Sequence, residues 1–458
     1  TLGLALVVVA TAFDALAVAT ILPTTTAELG GLEWYGWTFS AFMLANLVGI
    51  TVGGNETDRH GPARPFLAGT LLFAGGLVVS GLAPSMAVIV GGRTSQGFGA
   101  GLLSAVAYAV IARAYAVDLQ PRMLATLSSA WVVPGLVGPG LAAVIAEHAG
   151  WRWVFLGLAP LPALAAMLVV PALRELPGDA SAPEGSARTW MAVQLALGAS
   201  AALAGLGRER WWLALVLLAG GGAVALHALG RLMPAGTLLA RAGLAAAIAT
   251  MGLLNFAFFG TEAFVPLALS TVRGESVMLT GLSLTAATLT WTAGAWLPVR
   301  VAARVTRRAL ITSGLGILGA GIAGTLALLS SSVPAASAVV AWGVAGLGMG
   351  LAFTTVSAAI LEAAPLGQEG ATSASLQLAQ VLGAAVATGI GGAIIVAPFA
   401  GDPPRLGIAT IDLLMLATIG IAIAAARGVP DHCDFGPVRA VQSERTLRVR
   451  CSDGPRQP

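Results

Sequence analysis

Lysine is absent from this chain: all 24 basic residues are Arg, they face 21 acidic ones, and charged residues fill only 10% of the 458 positions. Soluble domains carry roughly 25% charged residues, so a water-soluble fold is excluded. We read the missing lysine as a coding bias and draw no function from it. Only two cysteines are present, Cys433 and Cys451, both in a polar C-terminal stretch. No metal-ligand spacing surrounds them, so no metal and no cofactor is expected. The chain also lacks a phosphate-cradling Gly-Lys loop, a His-Glu metal pattern in an apolar helix and a Ser nucleophile motif, which argues against an enzyme or a primary pump. Its arginines are scattered over short loops without interleaved aromatics, so no nucleic-acid partner is expected.

Apolar residues dominate what remains: 57% of positions, with a mean hydropathy of +0.86. Fifty-nine Gly and 24 Pro accompany them, a load that membrane helices tolerate because small residues let backbones approach. A run of about 20 residues spans about 30 Å of hydrocarbon. Fourteen such runs can be placed, near 2–22, 35–53, 66–83, 87–112, 123–146, 151–173, 189–206, 211–230, 242–270, 277–298, 309–330, 334–361, 371–397 and 406–426. The chain begins inside the first run, so the true N-terminus is expected to lie upstream of Thr1. With the N-terminus inside, 18 Arg fall on the cytoplasmic side, five outside (Arg152, Arg208, Arg210, Arg273, Arg405) and Arg93 within the membrane. Cytoplasmic loops hold the excess of positive charge, so an even number of spans with both ends cytoplasmic is expected.

The run Gly97-Phe98-Gly99-Ala100-Gly101-Leu102 recurs 249 positions later as Gly346-Leu347-Gly348-Met349-Gly350-Leu351, and each copy reaches a charge sixteen residues on, Arg113 and Glu362. Helix four thus corresponds to helix twelve. The repeat predicts an N-terminal six-helix bundle (1–173), a linker with two inserted helices (174–241), a C-terminal six-helix bundle (242–428) and a polar cytoplasmic tail (429–458). Tight packing accounts for these glycines as well as any transport role does.

Four patterns carry a family resemblance. Phe13-Asp14 is followed nine residues after the Asp by Pro23; Gly54-Asn55-Glu56-Thr57-Asp58-Arg59-His60-Gly61 follows the second helix; Arg93-Thr94-Ser95-Gln96-Gly97 lies in the fourth; Pro134, Gly135, Gly138, Pro139 and Gly140 lie in the fifth. In this order the set resembles the major facilitator superfamily, specifically its fourteen-helix drug/proton antiporters, over nearly the whole chain to about Arg427. The matching signatures are Leu-Asp-x-Thr ending in Ala-Leu-Pro, G-x-L-a-D-R-x-G, R-x-x-Q-G and G-x-x-x-G-P. Leu16 and Ala19 stand where the first usually has Thr and Asn, Glu56 where the second has an apolar residue, and Ala142 and Ala143 where the last usually has Gly. The resemblance implies an all-α integral membrane protein of two pseudo-symmetric six-helix bundles plus two inserted helices, 14 transmembrane helices in all. It also implies a proton-coupled antiporter, multi-pass in the cell inner (cytoplasmic) membrane, a monomer with protons as coupling ion. A lipid exporter, or a symporter or facilitator, on the same fold is the alternative.

An ionised carboxylate in mid-membrane is costly and marks a functional site by default. Asp14 is therefore expected to carry the proton, with a structural hydrogen bond as the alternative. Arg93, equally costly if unpaired, needs Asp14 or backbone carbonyls as acceptor. Shifting the repeat offset to 248 superposes Glu262 on Asp14, as a second acid facing the same cavity unless it faces an outer loop. Gly54, Asp58, Arg59, Gly61 and Arg64 read as a conformational latch, with Asp58 placed for a helix N-terminus and Arg59 and Arg64 for the anionic leaflet. The second-half loop is basic (Arg300, Arg304, Arg307, Arg308), so the latch is expected on one side only. Pro134 and Pro139, with Gly135 and Gly138, should make helix five bendable where it meets the other half. Asn46, Gln96, Trp131, Asn255, Trp291, Gln377 and Gln380 are candidate cavity residues for a small-molecule substrate, lipophilic or cationic, although interhelical packing explains each equally well. Asp412, at the start of the last helix, is expected to be solvated.

Overall fold

Long apolar runs without water to satisfy their backbone groups must close every hydrogen bond internally, which in one segment only a helix can do. The computed structural model is accordingly all helical. It describes residues 2–114, 132–178, 185–208, 210–301, 304–365, 368–401 and 403–430, with Leu119, Met123 and Ala130. Its long helices are α1 (Leu2–Leu29), α2 (Tyr35–His60), α3 (Ala63–Gly81), α4 (Met86–Ala114), α5 (Val132–His148), α6 (Arg152–Leu173), α7 (Ser186–Leu206), α8 (Trp211–Leu232), α9 (Leu244–Val272), α10 (Val277–Val301), α11 (Arg307–Ala327), α12 (Ser337–Glu362), α13 (Glu369–Ile395) and α14 (Arg405–Ala426). Twelve of these are long and apolar enough to cross a membrane. The other two are α5, with 17 described residues, and α10, diluted by Thr280, Thr285, Thr288, Thr290 and Thr292. Trp131 and the tail from Asp431 lie outside the described residues.

Helix packing repeats itself. The pairs α2 with α4, α3 with α4, α1 with α5, α1 with α6 and α3 with α6 recur as α10 with α12, α11 with α12, α9 with α13, α9 with α14 and α11 with α14. The two sets meet through α2 on α13 and α5 on α10, themselves an equivalent pair. Helices α7 and α8 pack on one another, and α7 lies on both α2 and α13, with Ala196, Ala199 and Leu203 against Leu44 and Ala385. Almost nothing covers α8, whose exposed Trp211, Trp212, Leu215 and Val216 suit a lipid-facing surface.

The repeated glycine run explains the register. A Cβ on Gly97 would strike the Phe42 carbonyl and one on Gly346 the Ala287 carbonyl; Gly101 and Gly350 meet Asn46 and Trp291; Gly99 and Gly348 meet Gly69 and Gly314. All three partner pairs are 245 residues apart, so the first and third glycines seat α4 on α2 and the middle one seats it on α3, in both halves. Packing, with no transport role, suffices for them. Gly97→Val and Gly346→Val are each expected to lose about 1–3 kcal/mol through overpacking, read as lower thermal unfolding temperatures in detergent, whereas Gly75→Ala, with nothing within 4 Å, should lose nothing.

One end of the bundle carries the Gly30–Gly31 turn and the other the Gly61 turn. At the Gly31 end the halves touch closely. A Cβ on Gly36 would lie 2.5 Å from the Cα of Gly392. Ser40 Oγ donates to the Ala385 carbonyl at 2.8 Å, and Tyr35 Oη to the Ala263 carbonyl at 2.9 Å. This end is closed.

Candidate functional site

Halfway along α1, Asp14 is 1% exposed, and its Oδ2 accepts from Arg93 Nη1 of α4 at 2.5 Å. The same Nη1 donates to Gln96 Oε1 at 2.5 Å, Arg93 Nε to the Thr38 carbonyl of α2 at 3.3 Å, and the guanidinium sits 4.2 Å from the Phe42 ring centre. Gln96 Nε2 in turn donates to Ser80 Oγ of α3 at 3.0 Å, an approach open because residue 92 is Gly, where a Cβ would collide with Ser80. Four helices therefore contribute to one buried polar network. The buried guanidinium is surrounded by a carboxylate, an amide oxygen, a carbonyl and an aromatic face, each a favourable neighbour for a cation. Asp14 Oδ1, by contrast, is buried without any hydrogen-bond partner. Both acceptors expected for Arg93 are in use. Gln96, expected in a cavity, is fully buried inside this network instead, because its position one turn after Arg93 turns it toward α3.

Among the described residues the second half shows no such ion pair at mid-helix. Leu16 packs toward Gly138 as Gly260 packs on Ala387, and Arg93 meets Asp14 where Trp342 stacks on Phe258 at 5.1 Å between ring centres. These contacts relate α1 to α9 by 244 residues, which makes Phe258 the counterpart of Asp14 and Trp342 that of Arg93. Glu262 consequently lies one turn nearer the Gly31 end than an exact counterpart of Asp14, and the expected superposition is corrected. It is partly exposed, just before α9 breaks into Val265–Leu267 and a π-helical turn at Ala268–Val272. Phe258 and Phe259 of α9, Trp291 of α10 and Phe353 of α12 form an aromatic cluster, with Trp291 5.2 Å from Phe258 and 5.5 Å from Phe353. Trp291 thus faces aromatic neighbours. Asn255 is buried and its Nδ2 bonds back to the Met251 carbonyl at 2.9 Å. Asn46 is half-buried, donating to the Gly97 carbonyl at 3.4 Å, and Gln377 and Gln380 are half-buried on α13.

Asp412 reverses another expectation. Far from solvated, it is 2% exposed, because α9 and α11 pack over it and Thr325 Oγ1 donates to its Oδ2 at 3.2 Å. Its place two turns into a helix start left no hint of what would cover it.

The latch residues sit at the Gly61 end. Gly61 has φ +81° and packs on the Leu176 carbonyl and Gly178 amide, so the loop is seated on the segment leaving α6. Asn55 Oδ1 accepts from the Gly185 amide at 3.0 Å, and His60 Nδ1 lies 3.0 Å from Glu56 Oε2. Asp58 and Arg59 are both engaged. At Gly54 an added Cβ meets nothing; the close approach to Leu102 of α4 belongs to Gly53, one position earlier than the motif suggests. Arg64 is exposed and, with His60, Arg174, Leu67, Val170 and Leu173, lines a cleft of about 400 Å³. In the second half Arg307 of α11 donates to Glu362 of α12, so that end too has an ionic tie, made by a residue outside the loop. Helix α5 meets the other half as expected: a Cβ on Gly135 would strike Thr288 of α10, and one on Gly281 of α10 would lie 2.8 Å from the Pro139 carbonyl, while within its own half Gly138 faces Phe13 of α1. Pro134 is buried near the start of the described part of α5.

Comparisons with known proteins agree with this architecture. A profile of the Major Facilitator Superfamily matches residues 4–388. A probable multidrug-efflux transporter of Mycobacterium tuberculosis is 36% identical over 153 residues, 33% of this chain and 32% of its own. Multidrug resistance protein 3 of Bacillus subtilis is 29% identical over 174 residues, 38% and 34% of the two chains. The matched segments thus span about a third of these relatives. Among solved structures, a bacterial homologue of the human lysosomal transporter Spinster superposes with TM-score 0.68 at 14% identity, covering 93% of this chain and 96% of its own. A D-xylose-proton symporter superposes with TM-score 0.64 at 15% identity over 93% and 98%. At such identities these structures share the fold.

Proposed function

Since the chain belongs to the Major Facilitator Superfamily and is a multi-pass membrane transporter rather than an enzyme, we propose that it is a proton-coupled antiporter exporting hydrophobic or amphipathic small molecules by alternating access. The observation that carries the reading is the buried Asp14–Arg93 pair with Asp14 Oδ1 left unpartnered. A proton arriving on that oxygen removes the charge that Arg93 neutralises, so protonation and the pairing between α1 and α4 are linked. Such a link lets a proton exchange for another occupant of the same cavity, provided only one can be held at a time.

Support for the rest is of three kinds. The recurring helix pairs favour two six-helix halves, 1–173 and 242–428, with α7 and α8 inserted and fourteen spans in all; halves of this kind rock about a site at mid-membrane. The arginine bias favours the Gly61 end as cytoplasmic, with both termini inside the cytoplasmic membrane. The multidrug transporters that share a third of their length with this chain, and the aromatic cluster around Trp291, favour a lipophilic or cationic cargo. No cofactor is required beyond the proton, and a monomer suffices. Gly53, Gly61, Asp58, Arg59 and Arg64 then act as the cytoplasmic latch, and Gly135 to Pro139 as the seam between the halves.

Proteoliposomes holding a pH gradient test this, with a panel of lipophilic cations and neutral drugs and the native chain beside Asp14→Asn. Asn keeps an oxygen for Arg93 but cannot ionise. Substrate-dependent proton flux that the substitution abolishes is the expected result. Transport indifferent to both the gradient and Asp14 would replace the antiporter by a facilitator or lipid carrier.

A further inference from the structure

The proton reading uses one buried acid, yet the fold buries another in the opposite half. Asp412 of α14 is shielded by Ile408, Ile411 and Met415 of its own helix and by α9 and α11. Two hydroxyls attend it. Thr325 Oγ1 donates to Oδ2 at 3.2 Å while also bonding the Ile322 carbonyl at 2.7 Å, so its donation is shared. Thr261 Oγ1 lies beside the same carboxyl, fully buried and at the margin of hydrogen-bonding geometry in the present arrangement.

Charge around the group is sparse among the described residues. Helix α9 contributes Glu262, the neighbour of Thr261, an acid and no help to an anion. Helix α11 bears charge only at its far end, Arg307 and Arg308, and α13 begins with Glu369 at that same far end. Arg405 on α14 itself is exposed at the helix start. Arg273, after the π-helical turn, is bound by the carbonyls of Leu328, Ser330 and Val333. Asp412 therefore has no cation, unlike Asp14. A carboxylate removed from water with only hydroxyl donors is far costlier than the neutral acid.

We infer that Asp412, cradled by Thr261 and Thr325, is a second proton-binding carboxyl, carried by the C-terminal half. Thr325 is 245 residues after Ser80 and so occupies, on α11, the place that Ser80 holds on α3 in the Asp14 network. Each half thus has a buried acid tied to the equivalent hydroxyl position, reached through Arg93 and Gln96 in one and directly in the other. Thr261 sits on α9 just before its break, so a shift of that segment when the Gly31 end opens changes how well its hydroxyl reaches Asp412. Protonation of Asp412 is thereby tied to the state of that end. This coupling role rests on the antiport reading; the proton site itself does not.

Infrared difference spectra of the purified protein across a pH series, without substrate, read the site directly. A protonated-carboxyl C=O band that Asp412→Asn removes, and that Asp14→Asn and Glu262→Gln leave in place, is expected. A spectrum unchanged by Asp412→Asn overturns the proposal, and a band displaced by sodium at constant pH makes the site one for a metal cation and overturns it as well. If Asp412→Asn does not fold, Thr325→Val serves: loss of a donor should shift the band's pH midpoint, and an unmoved midpoint overturns the proposal. In proteoliposomes Asp412→Asn should lower the protons exchanged per substrate by about one, against an unchanged ratio if the coupling role is wrong. A band that behaves as expected in a protein that moves no protons would discard the antiport reading and leave the site standing.

Discussion

Asp14→Leu is expected to destabilise the protein more than Arg93→Met does, and the two together are expected to be milder than the worse single change. Removing one partner of a buried ion pair costs about 3–5 kcal/mol because it strands the other charge. The stranded groups differ, however. Arg cannot shed its proton in a protein, so without Asp14 the guanidinium retains only Gln96 Oε1, the Thr38 carbonyl and the Phe42 face. Asp14, without Arg93, can become neutral by taking up a proton, which relieves part of the loss. The double variant strands nothing and replaces polar groups by apolar ones of similar bulk in a buried site. Thermal unfolding of the four proteins in detergent measures the cycle. Simple additivity would mean that the 2.5 Å contact is not an energetic pair, and the reverse order of the single variants would remove the basis for a proton on Asp14.

Gly36→Val is expected to hold the Gly31 end apart and to suppress transport. Its Cβ would lie 2.5 Å from both the Gly392 Cα and the Thr388 carbonyl, backbone atoms that cannot rotate away. Overpacking of this kind costs about 1–3 kcal/mol, and a bias of that size moves a two-state equilibrium about 5–150-fold. Because the clash exists only while α2 and α13 are closed together, the penalty falls on the closed state. A cysteine at Ala263, next to the Tyr35 bond, reports it in a chain whose Cys433 and Cys451 are replaced by Ser. Labelling of that cysteine from solution should rise in Gly36→Val. Unchanged labelling together with native transport would show that this contact does not govern closure.

Composition and spacing alone determined that this chain is a membrane bundle, where its helices run, that Asp14 and Arg93 are buried ionisable groups in need of partners, and that helix four recurs as helix twelve. Each follows from a property of a single segment: apolar length, the cost of a charge in hydrocarbon, or a glycine run whose i, i+2, i+4 spacing presents two flat faces. What lies beside a residue is a different matter. The counterpart of Asp14 is Phe258 and not Glu262, Gln96 turns into the Arg93 network, Gly53 rather than Gly54 seats α2 on α4, and Asp412 is enclosed. A shift of four residues leaves a helix's apolar pattern nearly unchanged while moving every side chain one turn along its axis, so the sequence could not distinguish offset 248 from 244. Only the contacts between helices, set where small residues let backbones touch, chose between them.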